Sequence, residues 1–137
     1  MKILRRGQAS IEFALILPIF ALLLFSLVYI GFLFIDVVTL DSAAAAAARS
    51  AVLSDDGTVD DALKTKIQNT TLFLYWYEID SESPKRLEPV NDANIFTYGI
   101  KANLTVKNSV LEMVLPPAYT VVKTAYKTEA TTPEGGD

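Results

Sequence analysis

The chain has 137 residues, a formal net charge of −4 and 51% hydrophobic residues, enough for one modest domain and little more. It contains no cysteine and no histidine, which excludes a disulfide framework and removes the commonest general base and metal ligand. Lys2, Arg5 and Arg6 stand near the start with no acid beside them, and no basic patch that would hold nucleic acid follows.

Residues 13–35 carry no charge, and 17 of these 23 are Leu, Ile, Phe or Val. As a helix they would extend about 35 Å, enough to cross a bilayer. Their summed insertion free energy is on the order of −7 kcal/mol, which Pro18, Ser26, Tyr29 and Gly31 reduce without reversing. A buried helix of a soluble core is the bland alternative, but so small a domain could hardly surround it. A removed secretory signal is the other, and its apolar region is normally only about 7 to 15 residues. The cations before the span predict a cytoplasmic N-terminus and an extracytoplasmic C-terminal part. Pro18 lacks an N–H and disrupts the bond to the Ala14 carbonyl, which predicts a helix bend there.

Glu12 is the residue that an ordinary anchor does not need. A carboxylate at the edge of lipid is costly unless something pairs with it. It lies five residues after Gly7 and directly before Phe13, within the run Arg-Arg-Gly-Gln-Ala-Ser-Ile-Glu-Phe-Ala-Leu-Ile-Leu-Pro at residues 5–18. The plain reading is that the acid favours the positive N-terminal end of a helix dipole, or lies among headgroups. That reading leaves the Gly7 spacing unexplained.

Residues 5–18 resemble the start of the TadE-like pseudopilins, minor components of the tight-adherence (Flp, type IVb) pilus system. Residues 40–51, an alanine-rich stretch containing Arg49, resemble the segment that follows the span in that family. Members often carry Tyr where Phe13 stands, a mild departure. The resemblance implies that residues 1–7 are a cleavable leader, cut by a prepilin peptidase between Gly7 and Gln8. It further implies that the new Gln8 amine meets Glu12 of a neighbouring pilin or pseudopilin, with Phe13 beside the contact. Such an amine has a pKa of about 7.7 to 8, and pairing it with a carboxylate can fix register between subunits.

Helical pattern continues past the span, because Ala43, Ala44, Ala45, Ala46, Ala47 and Ala48 have the highest intrinsic helix propensity. Residues 8–53 are therefore expected as one transmembrane and stem helix, on the order of 69 Å long. The small side chains permit close approach of another helix or of a sheet, or form a simple spacer. Residues 54–130 are expected as a small exported domain. In it, Thr58 is predicted to cap a second helix with Asp61, and Val59, Ala62, Leu63 and Ile67 make its apolar stripe. Asp55, Asp56, Asp60 and Asp61 do not match a calcium loop and are explained as helix-start acids.

Residues 71–79 are predicted as a central strand, with Tyr75, Trp76 and Tyr77 in its core rather than stacking on sugar. Residues 96–106 alternate apolar and polar, as a half-buried strand does, and 118–127 are expected to pair with them. Residues 80–94 read as a polar loop, 110–115 as a short helix or a segment near the membrane surface, and 131–137 as a disordered tail. The expected class is α+β: a long N-terminal helix, then a small antiparallel sheet with a second helix.

Catalysis has little support, since no spacing suggests a Ser-Lys or paired-carboxylate site. No cofactor, metal or small-molecule substrate is expected. Two functions remain: a processed pseudopilin-type subunit at the membrane, or an uncleaved single-pass anchor presenting a small binding or sensor domain.

Overall fold

The computed structural model describes residues 2–54, 57–87, 94–105 and 113–128, and side chains from Ser10 onward. The order of elements is α1 (Lys2–Leu53), α2 (Asp61–Gln68), β1 (Tyr77–Ile79), β2 (Lys85–Leu87), β3 (Ile95–Leu104) and β4 (Ala118–Tyr126). The class is α+β, a long apolar N-terminal helix followed by a small antiparallel sheet and a second helix. The chain divides into two compact units, Met1–Ile35 and Asp36–Asp137, and α1 contributes to both.

In the first unit α1 begins at Lys2, six residues before the expected start at Gln8, and continues through Pro18. Most of its large side chains are exposed, from Ile11 at 70% to Ile35 at 41%. A contiguous apolar surface of this extent needs a covering phase, since soluble monomers rarely expose more than a few hundred Å² in one patch. Inside the run the Ser26 hydroxyl is satisfied locally, as its Oγ donates to the Leu22 carbonyl at 2.8 Å.

The second unit is built on β3. It pairs antiparallel with β4 along nearly its whole length, from Ile95↔Tyr126 to Asn103↔Ala118. Its other edge is shared by two short strands, β1 beside Ala102 to Leu104 and β2 beside Thr97 to Gly99. Phe96, Tyr98, Ile100 and Ala102 are buried, so the expected alternation holds, and their partners Ala125, Lys123, Val121 and Tyr119 share that face. Tyr77 closes one end of this face, its ring edge-on to Tyr119 at 4.9 Å.

Three expectations need correction. The predicted strand at 71–79 is reduced to Tyr77–Ile79, because the preceding amides are bonded elsewhere, as described below. The predicted loop at 80–94 contains β2, a three-residue strand held by β3. The cap of α2 is Asp60, whose carboxylate accepts from the Ala62 N–H at 3.4 Å. Thr58 instead offers its carbonyl to Ser54 Oγ at 2.7 Å. Of the ambiguous stretch at 110–115, Met113 and Val114 are exposed and helical and Leu115 is buried, while 106–112 and the tail at 131–137 lie outside the described residues.

Candidate functional site

The sequence-predicted site residues fall into two groups along α1. Gly7, Gln8, Glu12, Phe13 and Pro18 belong to the first unit. The Gly7–Gln8 peptide bond lies within the helix, and Glu12 follows Gln8 by four residues, which places both on one helical face. The Glu12 side chain is exposed, as is Phe13 at 66%. Asp55 and Asp56 lie outside the described residues, while Asp60 and Asp61 occupy the start of α2.

Ala43 to Ala48 belong to the second unit. Ala44, Ala47 and Ala48 are buried, and Ala43, Ala45 and Ala46 are partly so. With Asp36, Leu40 and Ala51 the buried positions recur at spacings of three and four, which is one face of a helix. The chain's own residues cover this stripe. Lys123 on the inner face of β4 meets Asp41 at 3.0 Å, and Ser50 Oγ accepts the Asp60 N–H at 3.3 Å. The methyl side chains of the buried Ala44, Ala47 and Ala48 are small enough to permit close approach of neighbouring chain to the helix backbone.

Asp36 is the residue that sequence reasoning missed. It is the first residue of the second unit and is 1% exposed. One carboxylate oxygen accepts the Phe73 N–H at 2.6 Å and the other accepts the Leu74 N–H at 2.9 Å. A buried carboxylate is tolerated because both oxygens receive charge-assisted bonds from amides that a strand would otherwise have used. The only signal in the sequence is an acid directly after the apolar run and four residues before Leu40. Nothing there names its partners, which lie 37 and 38 residues further on.

The loop fixed by Asp36 is tied in turn to the other loop at this end of the sheet. The Trp76 carbonyl accepts the Thr105 N–H at 2.6 Å, and Tyr77 Oη donates to the Pro116 carbonyl at 2.6 Å. Burial raises the Tyr77 hydroxyl above its ordinary pKa of 10.0. At the other end Tyr98 Oη donates to the Gly57 carbonyl at 2.7 Å, and burial raises its pKa too, against a smaller opposing effect of Arg86. Gly57 has φ +64°, and a Cβ there would stand 2.5 Å from Phe96 Cε1.

Among the described residues one helix is long and apolar enough to cross a membrane, and it lies near the N-terminus. Residues 7–49 match the family model described as TadE-like protein, which agrees with the resemblance seen in the sequence. The match begins at Gly7, contains Glu12 and the whole apolar run, and ends inside the buried stripe of α1. It covers just under a third of the chain, and the sheet lies beyond it. No curated protein and no solved structure matches the chain.

Proposed function

We propose that the chain is a pseudopilin-like structural subunit of a Tad (Flp, type IVb) pilus system, without enzymatic activity. It is made as a single-pass precursor in the bacterial cytoplasmic membrane, with residues 1–7 cytoplasmic and the sheet domain extracytoplasmic. A prepilin peptidase cuts between Gly7 and Gln8, and the mature helix then associates with other pilins or pseudopilins. The observation that carries this reading is the TadE-like match over residues 7–49, coincident with an exposed apolar helix.

Physical chemistry supports each step. Gly7 destabilises helix by about 1 kcal/mol relative to Ala, so the helix opens there more readily for a peptidase. Cleavage removes the turns before Gln8 and leaves Glu12 close to a new helix N-terminus. There the dipole favours its charge, and the Gln8 amine of a neighbour supplies a cation. Phe13 packs beside that pair in the apolar bundle.

N-terminal sequencing of the mature protein, made with and without the peptidase, tests the reading. Expected is a start at Gln8 with the enzyme and at Met1 without it. A start at Met1 in both, or near Ala48, refutes processing. A second reading, an uncleaved anchor presenting a binding domain, is favoured by the uninterrupted helix from Lys2. In that case Gly7→Ala changes neither mass nor activity.

A further inference from the structure

The domain carries an exposed apolar patch at one end of its sheet. Tyr75 and Phe73 are 81% and 60% exposed, and Met113 and Val114 are 88% and 76% exposed. They lie on two segments, 73–76 and 113–117, that the chain joins at the Leu104 end of β3. Tyr77 Oη binds the Pro116 carbonyl, the Leu104 N–H donates to the Pro117 carbonyl at 2.9 Å, and the Thr105 N–H donates to Trp76. Exposed aromatic and aliphatic side chains gathered in this way are the composition of a surface that meets another phase.

Asp36 says which phase. It follows Ile35, the last residue of the apolar run, and its carboxylate holds the backbone of Phe73 and Leu74. The loop is thus tied by two hydrogen bonds to the residue at which the chain leaves the lipid. Aromatic residues with a polar tip, such as Tyr75 and Trp76, prefer the headgroup boundary. Apolar groups there sink about 5 to 10 Å into the boundary between headgroups and acyl chains.

We propose that Phe73, Tyr75, Met113 and Val114 form a lipid-docking surface that seats the domain on the bilayer from which its own helix emerges. The proposal rests on the reading of residues 13–35 as a membrane span. Asp36 is then a positioning residue, which holds the backbone of the loop at the first residue after the span. The partner is a lipid surface, and its recognition is by apolar burial rather than by a headgroup of particular charge.

Trp76 is the only tryptophan and reports on this loop without labelling. The full chain is reconstituted in phosphatidylcholine vesicles whose acyl chains are brominated near the carbonyl end or near the methyl end. Expected is quenching of Trp76 by the first lipid and weaker quenching by the second, with loss of quenching in the Phe73→Ser, Tyr75→Ser double variant. The urea midpoint of that variant is measured beside wild type, so that the loss of quenching is read on an intact fold. If the chain resists alkaline carbonate extraction but Trp76 is unquenched, the docking surface is overturned and the anchor stands. If carbonate extracts the chain, the anchor reading falls and the docking with it. Disulfide-linked dimers of a Tyr75→Cys variant in the same vesicles would assign the patch to a second copy and overturn lipid docking.

Discussion

Replacing Asp36 by alanine removes the acceptor of two backbone N–H groups while leaving the helix free to form. The Leu74 N–H is buried and the Phe73 N–H partly so. A hydrogen bond to a charged group contributes about 1.5 to 3 kcal/mol, and a buried donor left unmade costs about 1 to 3 kcal/mol. Loss of a buried carboxylate returns part of its desolvation cost, so the net destabilisation is about 3 kcal/mol. Domains of this size are stable by about 5 to 15 kcal/mol, which makes this a large fraction. At a slope of about 1 to 3 kcal/mol per molar urea, the midpoint falls by roughly 1 to 3 M.

The assay is urea unfolding of the full chain in lipid nanodiscs, followed by Trp76 fluorescence and by hydrogen exchange. The Phe73 and Leu74 amides should lose protection first. Asp36→Asn is the sharper comparison, because either amide orientation sets an NH2 group against one of the two N–H donors. It should be less stable than wild type by about 2 kcal/mol despite an unchanged shape. An unchanged midpoint with both amides still protected in Asp36→Ala would show that the carboxylate does not hold the loop.

Ala47→Leu should lower the unfolding midpoint by the equivalent of about 1 to 3 kcal/mol, since Ala47 is fully buried and three more carbons overpack a closed site. Gly57→Ala should destabilise by about 1 to 3 kcal/mol in the same titration, combining a positive φ with the encounter with Phe96. Tyr77 and Tyr98 have folded pKa values raised above 10.0 by burial. Their stabilisation is complete below the unfolded value and is lost as pH rises from 10.0 through the folded values. Tyrosinate absorbance should show a late alkaline component that Tyr98→Phe reduces. On the acid side, the Glu82 N–H and then the Asn103 amide hold the Asp80 carboxyl below its ordinary 3.8. Its contribution is therefore present above that value and lost as pH falls below it, and Asn103→Ala should narrow the shift measured by carboxyl NMR titration.

The apolar run, the helix through the alanines and the alternation of β3 were all legible in the sequence. Each is a local pattern: an uncharged stretch of bilayer length, a run of the best helix former, and a period of two over ten residues. Gly7 and Glu12 were legible in a different way, through a resemblance to TadE-like proteins; both fall within the matched residues 7–49 and lie on one helix. The domain was decided otherwise. Residues 71–76 have strand composition, yet Asp36 captures two of their amides and keeps them out of the ladder. Lys85–Leu87 has no strand signature, and β3 makes it one by offering a free edge. The alanines read equally as a spacer or a packing face, and the sequence did not say that Ala44, Ala47 and Ala48 are the buried ones. Local periodicity fixes an element's type, whereas the choice of hydrogen-bond partner is a competition among distant groups. A carboxylate 37 residues away can win that competition without leaving a trace in the local pattern.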